Sequence, residues 1–183
     1  MEKRELDSCL CRIADGDMEA LARLYQHFYR PVYLLAVSRT SDPSLAEDIA
    51  QEVFLTIRTQ AASYESGNAR SWIFGITKNV TRYFMRRSSR ETADEEAVAD
   101  APWPAEMEKA CLDGILVCAA LEGLNPAEYR TTVLHVYGGL KLTEIASFTG
   151  IPYGTVLWQY AAAKKKLRAF YDSADAKGGF SNE

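Results

Sequence analysis

The sequence contains no apolar run long enough to cross a membrane and no signal peptide at its start. We therefore expect no membrane insertion and a cytoplasmic protein with reduced thiols. Only two histidines occur, both far from the cysteines along the chain, and the cysteines form no paired CxxC knuckles, so the spacing does not favour a metal site. Because no acid–base, nucleophile or glycine-rich phosphate motif is recognisable either, we expect no cofactor and no enzyme activity. The cysteines are Cys9, Cys11, Cys111 and Cys118.

Sustained β-type alternation is also missing, whereas apolar residues recur at helical spacing throughout. The pattern predicts an all-α protein, and a hydrophobic fraction of 48% is enough for a core. In the second predicted helix, residues 18–40, we expect Tyr25 to be buried and Pro31 to disturb the backbone. The predicted organisation is a first helical domain at 1–90, a linker at 91–108, a second helical domain at 109–172 and a flexible tail at 173–183.

Acidic residues are absent between Gly67 and Arg90, a stretch that carries six basic residues. On a helix its aromatic and aliphatic side chains fall on one arc and its basic side chains on the opposite arc. Solvated surfaces usually mix charges of both signs, so a nucleic acid is a better explanation than a merely solvated face. The predicted core arc contains Trp72, Ile73, Ile76, Val80, Tyr83 and Phe84, and the opposite arc contains Gly75, Lys78, Asn79, Arg82 and Arg86.

Basic residues are absent, in turn, from the linker at 91–108, which contains seven acidic residues. This acidic block hides the basic patches on either side of it, so the formal net charge of −4 does not argue against a nucleic-acid partner. The linker has too little apolar content to fold alone and is the predicted domain boundary.

The helix predicted from Leu45 to Gln60 has two faces. An aliphatic residue recurs at every fourth position and forms a predicted buried stripe, made of Leu45, Ile49, Val53 and Ile57. The other side presents Asp48, Gln51 and Leu55, with Phe54 at its edge, which indicates a protein-docking face. The alternative is an ordinary surface helix with scattered apolar residues.

The last third predicts a helix-turn-helix, with a turn at Gly150–Ile151–Pro152 and a long helix from Tyr153 to Tyr171. Gln159 is suited to a bidentate bond with adenine, so we expect specificity to depend on it. Tyr153 and Thr155 lie near the start of this helix, where they can meet a phosphate or a thymine methyl group. For Trp158 the sequence allows two interpretations, a side chain packed in the core or one exposed to solvent. A second basic cluster follows at Lys164, Lys165, Lys166 and Arg168.

In this order and spacing, the motifs resemble a bacterial RNA polymerase sigma factor of the extracytoplasmic-function (ECF) group, over nearly the whole chain. The segment 46–54, AEDIAQEVF, resembles the region that docks on the polymerase clamp helices. The segment 72–79, WIFGITKN, resembles the region that melts and reads the minus-ten element. Residues 124–167 resemble region four, whose helix-turn-helix reads the minus-thirty-five element.

The resemblance implies a transcription-initiation factor with core RNA polymerase and promoter DNA as partners, and an anti-sigma protein that clasps both domains. The polymerase-binding residues would be Asp48, Gln51, Glu52, Phe54 and Leu55. The DNA-binding residues would be Arg70, Trp72, Lys78, Asn79, Arg82, Tyr83 and Arg86 in the first domain and Tyr153, Thr155, Gln159, Lys164 and Lys165 in the second.

Three positions depart from the family pattern. Arg70 stands where an aromatic often precedes the tryptophan, and Lys141 stands where a capping serine is common. The recognition helix at 154–160 also lacks the lysine and arginine of many relatives. The depleted recognition helix leaves one alternative, a sigma-like adaptor that binds an anti-sigma protein without reading DNA. A stand-alone helix-turn-helix repressor would leave the aromatic and basic helix of the first domain unused.

Overall fold

The computed structural model describes residues 3–65, 67–91, 120–121 and 123–177. Every regular element within these ranges is a helix, which confirms the predicted all-α class. The chain divides into two compact units, residues 1–99 and 100–183, and the division falls inside the predicted linker. Linker residues 92–108, Cys111 and Cys118 lie outside the described residues. Of residues 107–121, only Ala120 and Leu121 are described.

The described residues of the first unit form four α-helices and one short 3₁₀ turn. Each of the four helices packs against the other three. The second helix continues through Pro31, which is buried, so the predicted disturbance does not interrupt it. The elements are α1 (Lys3–Ala14), α2 (Met18–Thr40), α3 (Pro43–Gln60), the 3₁₀ turn (Ala61–Ser63) and α4 (Ala69–Glu91).

Two aspartates fix where α2 and α3 begin. Asp17 Oδ1 accepts the backbone N–H groups of Glu19 and Ala20 at 2.9 and 3.0 Å. Asp42 does the same for the first turn of α3, which has proline at its first position. Such caps satisfy amide groups that have no partner within the helix. The backbone N–H groups that Asp17 caps lower the pKa of its carboxyl, and the Arg12 guanidinium lowers it as well.

Tyr25 corrects one sequence expectation, because it is exposed. Its ring lies 4.8 Å from the ring of Phe54, measured between centroids, and covers that side chain from the solvent side. It also begins an aromatic ladder, in which Tyr25 and Tyr29 are 5.0 Å apart and Tyr29 and Tyr33 are 5.9 Å apart. We call these three tyrosines the tyrosine ladder. The ladder follows i, i+4 spacing and therefore one face of α2.

The second unit contains α5 (Pro126–Val136), α6 (Leu142–Thr149) and α7 (Tyr153–Lys177) among its described residues. Helix α7 packs against both α5 and α6. Gly150 ends α6 in the left-handed conformation, with φ of 79°, which glycine adopts without a side-chain clash. The turn and the two helices around it confirm the predicted helix-turn-helix arrangement.

Lys141 supplies no side-chain cap at the start of α6. Instead, the Glu144 carboxylate accepts the backbone N–H of Lys141 at 2.8 Å. The start of this helix is therefore stabilised by the third residue rather than by the cap residue, which is half of a capping box.

Glu128 connects the start of α5 to α7. Its buried carboxylate accepts the N–H of Asn125 at 3.0 Å and a hydrogen bond from Lys166 Nζ at 2.7 Å. Burial alone raises the pKa of Glu128, but these two hydrogen bonds outweigh it and hold the pKa below its ordinary value. The glutamate therefore stays ionised and completes a capping box with Asn125.

Candidate nucleic-acid and polymerase interfaces

Helix α4 faces the core of the first unit with both aliphatic and hydroxyl side chains. Ile73 and Ile76 are buried as predicted, and two threonines that helical periodicity did not predict are buried beside them. The hydroxyl of Thr77 donates to the carbonyl of Ile73, and that of Thr81 donates to the carbonyl of Thr77, at 2.9 and 2.7 Å. Because their hydroxyls are satisfied inside the helix, the threonines cost little to bury.

The opposite face of α4 is exposed and free of acidic residues. We call it the basic strip and define it by Gly75, Lys78, Asn79, Arg82 and Arg86. Lys78 is half-buried and the other four are exposed. The strip therefore presents a uniform positive charge with one amide among the cations, which suits a phosphate backbone.

Tyr83 corrects the predicted core arc, since 62% of it is exposed. The residue lies at the border of the arc, four positions after Asn79 and three before Arg86, so it shares their side of the helix. Its ring meets Phe84 edge-on, with centroids 5.8 Å apart. The structure thereby brings an aromatic face next to the basic strip, an arrangement that can stack an unpaired base while arginines contact phosphates.

Two predicted DNA-binding residues at the start of α4 are held by packing. The Arg70 guanidinium lies over the rings of Phe74 and Phe28, 5.1 and 5.7 Å from their centroids. Trp72 is half-buried against Tyr64, at 5.4 Å between centroids. These contacts fix both side chains in place, which the sequence pattern did not predict.

Tyr64 in turn ties this corner of the unit to α1. Its hydroxyl donates to Asp7 Oδ1, a contact between residues 57 positions apart. Burial raises the pKa of Tyr64, and the neighbouring Asp7 carboxylate adds to the effect. The phenol therefore remains protonated, and the indole of Trp72 rests on an anchored ring.

Gly75 is not required by the packing of α4. A Cβ atom at this position would meet no other atom within 4 Å. Glycine inside a helix is destabilising by roughly 0.5–1 kcal/mol relative to alanine. Its place on the exposed basic strip therefore suggests that the absence of a side chain serves an approach from outside.

The docking face predicted on α3 is partly as expected. Asp48, Gln51 and Glu52 are exposed, and 54% of Leu55 is exposed. Phe54 is different, because only 6% of it is exposed. The expectation that Phe54 lies at an accessible edge is wrong, since the α2 side chain of Tyr25 covers it. A single helix does not reveal a cover supplied by its neighbour.

The first turns of α7 also differ from expectation at Gln159, of which only 8% is exposed. The Thr131 hydroxyl on α5 donates to Gln159 Oε1 at 2.9 Å. The expectation that this amide is presented outward is therefore wrong, and its oxygen is occupied by a partner 28 residues away in sequence. Trp158, which the sequence left open, is 64% exposed.

The basic cluster of α7 separates into two parts. Lys164, Lys165 and Arg168 are exposed. Lys166 is bound to Glu128 and so contributes to the packing of the second unit. Tyr153 and Thr155 are exposed at the start of the helix, as expected for contacts with a ligand.

The described residues contain no group of three or more histidine, cysteine or acidic side chains that could hold a metal ion. Cys9 is buried, its thiol donates to the carbonyl of Ala20 at 3.2 Å, and burial raises its thiol pKa. Cys9 is therefore a core residue, whereas Cys11 is exposed. In the part of the chain that the structure describes, no helix is both long and apolar enough to cross a membrane.

Comparison with known proteins identifies related chains. A family model described as sigma-70 region 2 matches residues 24–91. The ECF RNA polymerase sigma factor SigE of Mycolicibacterium smegmatis is 29% identical over 167 residues, which cover 86% of this chain and 65% of SigE. The ECF RNA polymerase sigma factor SigW of Bacillus subtilis is 26% identical over 171 residues, covering 86% of this chain and 91% of SigW. This chain also spans 65% of the length of BldN of Streptomyces coelicolor, another ECF sigma factor.

Two solved structures have a similar fold. CnrH, solved in complex with the cytosolic domain of CnrY, matches with a TM-score of 0.53 and 20% identity over 92% of this chain and 98% of that chain. The sigma factor RpoE, solved in complex with the anti-sigma factor NepR from Bartonella quintana, matches with a TM-score of 0.50 and 22% identity over 82% and 96% of the two chains. The region 2 match runs from α2 to the end of α4, and the second unit contains a helix-turn-helix, so the chain is similar to ECF RNA polymerase sigma factors along most of its length.

Proposed function

We propose that this chain binds core RNA polymerase in the cytoplasm and directs promoter-specific transcription initiation. It would supply recognition and strand capture, while the polymerase performs the catalysis. The observation that carries the proposal is the basic strip of α4 with Tyr83 exposed beside it. A solvated cationic helix would not need an exposed aromatic ring next to its arginines, whereas a single DNA strand uses both.

On this proposal, the basic strip and Tyr83 contact the non-template strand of the minus-ten element. Asn79 is the uncharged hydrogen-bonding group of the strip and is suited to a base edge. Arg82 and Arg86 are suited to phosphates because their guanidinium groups bind oxyanions in bidentate geometry. Arg70 and Trp72 support the start of the helix, where Trp72 is half-buried.

Gly75 provides a test of close approach by the strand. We expect Gly75→Ala to leave the first unit folded, and to stabilise α4 by roughly 0.5–1 kcal/mol, because the new methyl group meets no protein atom. The same change should weaken binding of the holoenzyme to a single-stranded minus-ten oligonucleotide. Thermal unfolding and fluorescence anisotropy measure the two effects, and increased stability without weaker binding would remove Gly75 from the interface.

The exposed face of α3 is the proposed polymerase-binding surface, with Asp48, Gln51, Glu52 and Leu55 as its members. Leu55 supplies apolar area and its neighbours supply hydrogen-bonding and charged groups, which is the composition of a docking site. Phe54 belongs to the support beneath this surface, because Tyr25 covers it.

Paired substitutions distinguish surface from support. We expect Asp48→Ala combined with Leu55→Ala to weaken binding to core polymerase by about tenfold or more while helicity is retained, since both side chains are exposed. Phe54→Ala should instead lower the free energy of unfolding by about 3–5 kcal/mol. Fluorescence titration with core polymerase and circular dichroism separate the effects. Unchanged polymerase affinity in the double variant would contradict the assignment of this face.

The helix-turn-helix of the second unit is proposed to bind the minus-thirty-five element. Exposed Lys164, Lys165 and Arg168 lie on its second helix, and Tyr153 and Thr155 lie at the start of that helix. An adaptor that only binds an anti-sigma protein would have no use for two separate basic surfaces. The adaptor alternative is therefore not favoured.

We also infer that an anti-sigma protein regulates this chain. Support comes from the RpoE structure, which contains the anti-sigma factor NepR, and from the fold that this chain shares with it. The exposed apolar and acidic groups of α3 offer such a protein the same surface as the polymerase. Competition between the two partners follows from a shared surface.

Run-off transcription tests the proposed function. The purified chain is mixed with bacterial core polymerase and a library of duplexes with randomised promoter elements. We expect transcripts that depend on the chain and that begin from a restricted set of sequences. Transcripts equal in number and start site to those of core polymerase alone would contradict the proposal.

A further inference from the structure

The outward surface of α7 carries three large apolar side chains close together. Trp158 is 64% exposed, Tyr153 is 49% exposed and Leu157 is 46% exposed. Single exposed apolar residues are common on protein surfaces, but three within six residues of one helix form a patch. This patch lies on the second helix of the helix-turn-helix, which is the element that enters the major groove in such motifs.

Side chains that read bases by paired hydrogen bonds are missing from the same surface. Residues 153–163 contain no arginine, lysine or asparagine. The one amide in this stretch, Gln159, is buried and accepts the hydroxyl hydrogen of Thr131. The first cation, Lys164, follows Tyr153 by eleven residues, or about 16 Å along a helix axis. Bidentate recognition of guanine or adenine is therefore not available from the first three turns.

Small residues lie on either side of the indole along the outward face. Gly154, Trp158, Ala161 and Lys165 follow one another at four- and three-residue spacing, opposite the buried side of the helix. A Cβ atom at Gly154 would meet nothing within 4 Å, so the packing of the second unit does not require glycine there. Flanked in this way, Trp158 projects beyond its neighbours and the helix can approach a groove closely.

The charge of the helix fits a polyanion around this patch. From Tyr153 to Tyr171 the sequence contains no acidic residue. Lys164, Lys165 and Arg168 are exposed beyond the apolar patch. An acidic or mixed-charge rim would suit a protein partner, whereas a purely basic rim next to an apolar centre suits DNA whose bases present methyl groups.

We propose that α7 reads its promoter element through thymine methyl groups, with Trp158 and Leu157 packing on C5-methyl groups in the major groove. The proposal rests on the proposed function and names the chemistry of its upstream contact. Apolar side chains distinguish thymine from other bases by this methyl group alone. Lys165 and Arg168 bind phosphates and hold the helix in the groove. Preferred sites therefore contain thymines where Trp158 and Leu157 lie.

The test removes the methyl groups without changing any base-pairing group. The full chain, assembled with core polymerase, first selects duplexes from a pool randomised in the upstream element. Each thymine of the selected duplex is then replaced by deoxyuridine, and the affinity is measured by competition. We expect one or two replacements to weaken binding by about fourfold each, the factor that corresponds to one buried methyl group.

Protein variants assign the effect to a side chain. Trp158→Ala should bind the thymine duplex more weakly than the wild type by the same factor. On the deoxyuridine duplex, which already lacks the methyl group, the variant and the wild type should bind with equal affinity. Leu157→Ala provides the same comparison at a second position. The matched control, Lys165→Ala, should weaken binding to both duplexes by one common factor, because it removes a phosphate contact.

Three results would overturn the methyl readout alone. The first is specific binding without sensitivity to deoxyuridine, and the second is an equal loss for Trp158→Ala on both duplexes. The third is a loss of polymerase binding in Trp158→Ala while the assembled complex, formed at saturating variant, keeps the wild-type affinity for the thymine duplex. The last result would mark the patch as a protein-docking surface. If the wild-type complex selects no sequence and initiates no transcripts, the proposed function fails together with the readout.

Discussion

Replacing Arg82 and Arg86 together by alanine is expected to lower the affinity of the holoenzyme for a single-stranded minus-ten oligonucleotide by about thirtyfold. Two charge-assisted contacts at roughly 1 kcal/mol each account for that factor. The slope of log affinity against log salt concentration should fall by about 1.4, because each single-strand phosphate contact contributes about 0.7. Fluorescence anisotropy from low to moderate salt measures both quantities.

The control must remove the same charge elsewhere on the first unit. Arg4 on α1 and Arg23 on α2 are exposed arginines outside the basic strip. The Arg4→Ala, Arg23→Ala double variant has the same net charge as the test variant, so a general electrostatic effect would appear in both. A salt slope that falls equally in the two double variants would rule out direct phosphate contacts by Arg82 and Arg86.

A second large effect is expected at Glu128. Glu128→Ala should lower the free energy of unfolding of the second unit by about 2–4 kcal/mol, because it removes the capping-box acceptor for Asn125 and the buried partner of Lys166. Amide hydrogen exchange of α5 to α7 reports on this unit separately from the first. The effect should appear as faster exchange across these three helices.

Glu144 offers the matched control. It occupies the third position of α6 and accepts the N–H of Lys141, but it is only half-buried. Glu144→Ala should therefore cost only about 0.5–1 kcal/mol. Equal protection losses in the two variants would show that the buried pair with Lys166 adds nothing to the cap.

Acid should weaken the contact between Glu128 and Lys166. The folded-state pKa of Glu128 lies below its ordinary value, which is also its value in the unfolded chain. Its ionised form therefore stabilises the second unit above about pH 4.3. That contribution is lost as the pH falls through the folded-state pKa. Glu128→Gln should flatten the loss of stability as the pH falls below the ordinary glutamate value, and an unchanged pH profile would exclude the glutamate as its cause.

Local sequence was enough to predict the all-α class, the helix at 18–40 and the start of the long helix at Tyr153. Asp17, Asp42 and Asn125 cap helices through contacts within three residues, so no knowledge of the tertiary structure was needed. The acid-free stretch that became the basic strip was also visible in the sequence. Helical spacing correctly placed Ile73 and Ile76 in the core.

The exposure of individual side chains was harder to predict because it depends on neighbouring helices. Phe54 is covered by Tyr25 from a different helix, and Gln159 is held by Thr131 from 28 residues away. Tyr83 lies at the border of an apolar arc, where the extent of the packed neighbours decides its exposure. The sequence spacing places Tyr83 on the same side of the helix as Asn79 and Arg86. This spacing is the signal that would have identified the exposed ring.

Promoter opening tests the central claim most directly, because it requires both polymerase binding and capture of a single strand by the basic strip. The wild-type chain, core polymerase and a selected duplex promoter are treated with permanganate, which oxidises unpaired thymines. We predict that thymines of the minus-ten element become reactive with the wild-type chain and stay protected with the Arg82→Ala, Arg86→Ala variant. A stable wild-type complex with polymerase and promoter in which every thymine remains protected would contradict this account.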